Sequence, residues 1–226
     1  LGKNRTMPTK AKINKTMILN AVLNITKERG FEAVNARSIA GELQCSTRPV
    51  FTCYRNMEEL KKEFLLFAYE YYERYVLEYE KTVPVKPYLL FPLSYVEFAR
   101  EETNLFKLLF VSDMDLEMGE EKDFYKEVDN EKRALDFSEK TGIELQRAKK
   151  IFLDLFLYTH GIAVLTASKN IDFGRETTEK MVAGFLRTFT AQEWKKQEKG
   201  EEYEEKQRGV HAGEQADKYA DKSVSE

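Results

Sequence analysis

The segment from Asn35 to Arg55, NARSIAGELQCSTRPVFTCYR, constrains the fold most because it predicts two short helices separated by a tight turn. Apolar residues from Ala36 to Leu43 recur at i, i+3, i+4 and i+7, the spacing of a helix that buries one face. Asn35 precedes this stripe as an N-cap. The pattern stops at Gln44, and a second helix is expected from Thr47 to Tyr54.

The start of the second helix is marked by two residues. Ser46 is expected to be its N-cap, and Pro49 falls in its first turn, where a missing N–H has no intrahelical partner to lose. Two helices joined by a few residues form a helix-turn-helix unit, whose second helix lies in the DNA major groove.

The side chains of the second helix favour contact with DNA. Val50 is expected to face inward with Cys45, whereas Thr47, Arg48 and Thr52 project outward as short or cationic donors. Such donors suit base edges and phosphate oxygens. The alternative is an ordinary solvated helical hairpin that carries a few charges.

Charge is distributed unevenly along the 226 residues. Residues 1–62 hold 12 Lys and Arg against 5 Asp and Glu, which leaves 24 against 34 in the remainder. A basic N-terminal part on an acidic body is typical of a DNA-binding domain joined to a domain that avoids phosphates.

The chain offers little material for catalysis or metal binding. Its two cysteines, Cys45 and Cys53, give neither a disulfide framework nor a ligand set, so packing is expected of them, with a thiol switch as the alternative. No Ser/His/Asp set or glycine-rich phosphate loop is present, and His160 and His211 are the two histidines. We therefore expect no enzyme, no cofactor and no metal, and a cytoplasmic location.

Helical patterns continue through the rest of the chain. A first helix ending at Gly30 should brace the hairpin, and a long helix from Asn56 to about Glu80 should link it to the body. The segment from Asp113 to Lys122 is expected to be a loop, and Phe124 to Lys140 a helix. Beyond Trp194 the chain is polar and charged, and residues 192–226 are expected to form a tail that is disordered or loosely helical.

Two apolar helices are predicted near the C-terminal end of the body. Ile151 to Ala167 is long enough to approach a membrane span, but Asp154 and His160 within it favour a buried helix. Both of its faces are apolar, so it needs two partners. With a second helix over residues 176–190, it predicts a homodimer built as a four-helix bundle, and the alternative is an intramolecular core.

The segment from Ile18 to Leu60, ILNAVLNITKERGFEAVNARSIAGELQCSTRPVFTCYRNMEEL, resembles the TetR/AcrR family of transcriptional regulators. A weaker likeness continues through ETNLF at residues 102–106 and YTHGIA at residues 158–163. The resemblance implies an all-α fold with a three-helix helix-turn-helix head at residues 9–55 and a helical ligand-binding and dimerisation domain at residues 56–191.

The resemblance also implies which residues contact DNA. They lie on the second helix of the hairpin and at the start of the first helix. Together with the expected N-cap, the set is Arg37, Ser46, Thr47, Arg48, Pro49, Phe51, Thr52 and Tyr54. Three positions depart from the family pattern: Gln44 stands for the turn glycine, Phe51 for a tyrosine and Met57 for a lysine. Phe51 thus lacks a hydroxyl, and Met57 lacks a cation, that the family pattern offers to phosphate.

The expected function is a repressor that binds a palindromic operator in double-stranded DNA as a homodimer and responds to a small-molecule effector. Aromatic residues of the body are candidates for lining the effector pocket, although such a stripe is more often plain core: Tyr95, Phe98, Phe106, Phe110, Phe156 and His160. No membrane partner is expected. The alternative function is a helical interaction module that has kept the fold and lost DNA binding.

Overall fold

The computed structural model describes residues 13–112, 119–126, 128–171 and 173–191. Within these residues the chain is helical and contains no strand, which confirms the all-α fold class. The predicted tail at residues 192–226 lies outside the described residues, as do residues 9–12 of the predicted head.

The described chain forms two compact units. The first comprises the residues up to 112 together with Tyr158–Arg175, and the second comprises residues 119 to 157 together with the residues from Glu176 onward. The units do not follow the chain in order, and the domain boundaries predicted at residues 55 and 191 stay predictions.

The first unit contains six helices and the end of another. These are α1 (Lys15–Arg29), α2 (Ala36–Glu42), α3 (Arg48–Cys53), α4 (Met57–Thr82), α5 (Leu90–Glu101) and α6 (Thr103–Lys107), with a π-helical turn at Leu108–Ser112 and 3₁₀ turns at Phe31–Ala33 and Pro87–Leu89. Helix α1 packs against α2, α4 and α6.

Capping residues set the bounds of α1 and α4. Asn14 and Asn56 accept hydrogen bonds from the N–H groups of the third helical residue of α1 and α4, at 2.9 and 2.8 Å. Gly30 ends α1 with φ of 84°, in the left-handed region that glycine adopts without strain. Helix α4 ends where Val83 is extended, as expected of a residue before proline.

The second unit is built around aromatic residues. It contains a 3₁₀ turn at Glu121–Lys126, α7 (Val128–Thr141), the part of α8 (Leu145–Ala167) up to Leu157, and most of α9 (residues 175–191). Phe124 is fully buried, with its ring centroid 4.8 Å from Phe156 and 6.3 Å from Phe152.

Three sequence predictions of element bounds need correction. The loop predicted as far as Lys122 ends earlier, since a 3₁₀ turn begins at Glu121, and residues 113–118 of that loop lie outside the described residues. The helix predicted from Phe124 is α7, which begins at Val128. The second helix of the hairpin begins at Arg48 with Thr47 as its N-cap, not Ser46, and Thr47 makes no side-chain capping hydrogen bond.

Helix α8 is the most apolar helix. By length and composition its 23 residues could cross a membrane, but the core helix of a soluble protein meets the same test, and 56% of its most apolar window is buried inside the molecule.

Replacing Leu60 by Ala should lower the free energy of unfolding by about 2 to 5 kcal/mol, because this fully buried leucine of α4 would leave a cavity. Urea denaturation measures the change. Leu66→Ala on the same helix is the control, since Leu66 is 70% exposed and should shift stability by less than about 0.5 kcal/mol. Equal effects of the two substitutions would contradict the buried face assigned to α4.

Candidate nucleic-acid interface

Helix α2 begins with a complete capping box. The Asn35 side chain accepts from the N–H groups of Arg37 and Ser38, both at 3.0 Å, and the Ser38 hydroxyl accepts from the Asn35 N–H at 2.9 Å. These bonds satisfy donors that a helix start otherwise leaves open. They fix the backbone from which the exposed Arg37 side chain projects.

Gln44 carries the turn between α2 and α3. Its φ of 48° is left-handed, and the bonds from Gln44 N to Gly41 O and from Cys45 N to Ala40 O, at 3.1 and 2.9 Å, form a Schellman motif. Glycine is the usual residue at a left-handed position of this kind. Gln44 nevertheless adopts the same backbone turn, although the TetR/AcrR pattern has glycine there.

Helix α3 turns one side inward and another outward. Val50 is 1% exposed and anchors the helix, as predicted. Arg48, Phe51 and Thr52 are exposed, and their i, i+3, i+4 spacing places them on one side. Phe51 is 54% exposed, and the Thr52 hydroxyl donates to the Arg48 carbonyl at 2.9 Å.

The remaining residues of the predicted DNA-contact set differ in exposure. Ser46 is exposed, Thr47 and Pro49 are half-buried, and Tyr54 is buried at 2% exposure. The structure therefore places Tyr54 in the core instead of on the exposed side of α3. Its DNA contact stays a prediction from the family resemblance.

Tyr54 lies beneath an ion pair. The Lys15 Nζ atom is 4.8 Å from the centre of the Tyr54 ring and 2.5 Å from Glu63 Oε2. Burial raises the pKa of Tyr54, with Glu63 adding to the effect, so the phenol stays protonated. This arrangement joins the start of α1 to the end of α3 and to α4.

Three exposed arginines surround the turn and α3. Arg37, Arg48 and Arg55 form no ion pair with any residue that the structure describes. The predicted contact set does not include Arg55. The sequence places this cation between the predicted second helix of the hairpin and the Asn56 cap, and this position indicates that it lies near α3. Uncompensated guanidinium groups of this kind bind phosphates and guanine edges.

A polar cluster joins the end of α1 to the body of the first unit. Lys27 Nζ is 2.6 Å from Glu102 Oε1 and donates to the Tyr71 hydroxyl at 2.9 Å, and Tyr71 donates to Glu102 at 2.7 Å. Asn104 Nδ2 donates to the Lys27 carbonyl at 2.9 Å. We call these four residues the α1 anchor.

The aromatic residues predicted to line a ligand pocket lie in different units. Tyr95, Phe98 and Phe106 are at most 2% exposed, and Tyr95 lies 5.3 Å from Phe106 and 5.1 Å from Phe110 between ring centres. Phe156 lies in the second unit, where it packs on Phe124. Within the first unit the rings of Tyr95, Phe98, Phe106 and Phe110 contact one another, and the ligand role of all six residues stays a prediction.

His160 closes the aromatic cluster of the first unit. Its Nδ1 atom is 3.0 Å from the Tyr95 hydroxyl, and its ring centre is 6.3 Å from that of Phe106. Burial lowers the pKa of His160. The imidazole is therefore held neutral in the fold, where it can share one hydrogen bond with Tyr95.

The pKa of His160 should lie below the ordinary value of about 6.5 for histidine. As the pH falls, the unfolded chain therefore binds a proton at His160 before the folded chain does. The contribution of His160 to the free energy of unfolding is complete above about pH 6.5 and decreases as the pH drops below it. NMR titration should show the low midpoint, with His160→Gln identifying the resonance. Urea denaturation near pH 7 and near pH 5.5 should show a smaller acid loss for His160→Gln. A midpoint at or above the ordinary value would contradict the buried, neutral imidazole.

The cysteines of the hairpin are both free and half-buried. Among the described residues, no group of three His, Cys, Asp or Glu side chains is placed to hold a metal ion. Cys45 Sγ donates to the Ser46 carbonyl at 3.2 Å, so this thiol contributes to the backbone of the turn.

Comparison with known proteins adds no relative. No protein-family model matches the chain, and no similar sequence was found among curated proteins. What the structure defines is a chain that is helical over its described residues, with a short helix, α3, whose outer side carries the exposed Arg48. The TetR/AcrR resemblance stays a prediction.

Proposed function

We propose that this protein is a transcriptional regulator of the TetR type, a repressor that binds a palindromic DNA operator as a homodimer and responds to a small-molecule effector. The observation that carries the proposal is the outer side of α3, where Arg48, Phe51 and Thr52 are exposed and the Arg48 guanidinium forms no ion pair within the described residues. Arginine reads guanine in the major groove, and apolar groups contact the thymine methyl.

The supports around α3 suit this role. A six-residue helix is too short to be stable alone, so its direction depends on the buried Val50 and Tyr54 and on the capped helices beside it. Arg37 and Arg55, at the start of α2 and the end of α3, are available for phosphates on either side of the groove.

The homodimer is supported by an exposed stripe on α8. Leu157 is 54% exposed and Leu165 is 39% exposed, with the exposed Gly161 between them at four-residue spacing. A Cβ at Gly161 would meet nothing within 4 Å among the described residues outside the neighbouring backbone of α8. A second copy could therefore approach closely along this stripe and cover the leucines.

The α1 anchor supports a route for the effector response. It ties α1, which packs on α2, to α4 and to the α5–α6 junction of the body. An effector that shifts this junction would favour a spacing of α3 helices that no longer fits two half-sites about 34 to 36 Å apart. Coupling of about 1 to 3 kcal/mol would weaken DNA binding roughly 5- to 150-fold.

Arg48→Ala should weaken binding to DNA from the promoter of the protein's own gene by about 1 to 3 kcal/mol and reduce the preference over scrambled DNA, because a base contact is lost. Fluorescence anisotropy at several salt concentrations measures both. Arg37→Ala should instead weaken binding to all sequences and lower the salt slope by about one.

Arg29→Ala is the matched control, because Arg29 is an exposed arginine outside the assigned DNA surface. It is the last residue of α1, two residues after Lys27 of the α1 anchor. It should bind DNA as the unchanged protein does. Salt-insensitive binding, or an Arg48→Ala protein with unchanged selectivity, would refute the assigned DNA surface.

A second candidate function is favoured by Phe51. An aromatic ring that is 54% exposed at the centre of a short helix also suits an anchor in a protein interface. A helical interaction module would show no salt-dependent DNA binding, and Phe51→Ala would then abolish capture of a protein partner while Arg48→Ala would not.

The double substitution Leu157→Glu and Leu165→Glu should separate the dimer, since it places two carboxylates in the apolar stripe of α8. Light scattering after size exclusion should give the mass of two chains for the unchanged protein and of one chain for the variant. Leu66→Glu, at another highly exposed leucine, should leave the dimer intact. A single-chain mass for the unchanged protein at high concentration would contradict the homodimer.

A further inference from the structure

A cleft of about 340 Å³ lies in the first unit, apart from the aromatic cluster around His160. It is formed by the C-terminal part of α4, the C-terminal part of α5 and Arg175, with Thr82 and Val83 at its edge. Its size is at the low end of the range for small-molecule sites in proteins. Its walls are of two chemical kinds.

One wall of the cleft is aromatic. Tyr75 and Tyr79 lie one helical turn apart on α4, with ring centres 6.4 Å apart and ring planes inclined by 29°. Tyr79 is 8% exposed, and Tyr75 is supported by Phe98, whose ring centre is 5.1 Å away. Tyrosine faces attract cations through the negative potential above the ring.

The other wall of the cleft is acidic. Glu97 is bound by Arg100 at 2.5 Å, and the exposed Glu78 lies 3.7 Å from Lys81. Glu101 accepts a hydrogen bond from the Tyr75 hydroxyl at 2.8 Å and forms no ion pair within the described part of the chain. Among the residues that the structure describes, Glu101 therefore contributes a negative charge to the cleft that no Lys or Arg pairs.

The pKa of the Tyr75 phenol depends on burial and on these carboxylates. Burial raises the pKa of Tyr75, and the hydrogen bond to Glu101 and the charges of Glu101 and Glu97 raise it further. Burial disfavours any charge at this place, but the part of the pKa shift that comes from Glu101 and Glu97 reflects a negative potential, which favours a positive group there.

A cation from the chain already lies against the aromatic wall. The Arg175 guanidinium carbon is 5.9 Å from the centre of the Tyr79 ring. Arg175 is exposed and forms no ion pair with a described residue, so its contact with the ring is not fixed by a carboxylate. A positively charged group of the chain itself therefore lies against the Tyr79 ring.

We propose that this cleft is a binding site for a small organic cation, such as a quaternary ammonium or a protonated amine. The tyrosines contact the alkyl groups of the cation, Glu101 neutralises its charge, and Arg175 is the group that it displaces. Binding at this site does not depend on the proposed DNA binding.

The test uses the full chain without DNA, and choline as the probe. Isothermal titration calorimetry should detect choline binding, whereas the neutral isostere in which carbon replaces the quaternary nitrogen should bind at least tenfold more weakly. Equal binding of the two compounds, or no binding of choline, would overturn the proposal.

Three variants then locate the site. Glu101→Gln should weaken choline binding about tenfold, because the uncompensated charge is lost. Arg175→Ala should strengthen it about threefold, because the competing guanidinium is removed. Glu73→Gln is the matched control, an exposed glutamate of α4 outside the cleft, and should bind choline as the unchanged protein does.

The variants Glu101→Gln and Arg175→Ala can each contradict the proposal. An unchanged affinity in Glu101→Gln would place the cation elsewhere, and a weaker affinity in Arg175→Ala would make Arg175 part of the wall instead of a competitor. Since no DNA is present, a failed DNA-binding experiment leaves these outcomes unaffected, and a failed choline experiment leaves the DNA proposal standing.

Discussion

The position of α1 depends on a lysine charge that is held partly out of water. Burial alone opposes that charge, but hydrogen bonds to Glu102 and Tyr71 outweigh it, and the pKa of Lys27 is raised. The charge is retained because its partners come from α4 and from the α5–α6 junction, and these partners hold the end of α1 in place. Helix α1 in turn packs on α2 and α4, so the support of the exposed α3 begins at this ion pair.

Local chemistry allowed much of the fold to be predicted from the sequence. Asn35, Asn56 and Gly30 mark helix ends through bonds within a few residues, and the structure places the ends of α1, α2 and α4 where these residues predict them. The inward direction of Val50 followed from helical periodicity in the same way. What these features share is that each is decided by neighbours along the chain.

Features decided by distant parts of the chain were not predicted. Tyr54 is buried because Lys15 and Glu63, from two other helices, come together above it. Phe156 lies in the second unit because α8 crosses between units at Leu157, and an apolar periodicity does not show where such a division falls. The cleft needs Arg175, some 100 residues beyond Tyr75, so no local pattern could have indicated it.

Helix α4 is a continuous rod of 26 residues that follows α3 at one end and forms the aromatic wall of the cleft at the other. At 1.5 Å per residue it is about 39 Å long, so a rotation of only about 5° about one end displaces the other by about 3 Å. That displacement approaches the 3.4 Å rise of a single base pair. A small change of angle beside Tyr79 would thus move the far end of α4 by about one base-pair rise, because a single uninterrupted helix joins the two ends.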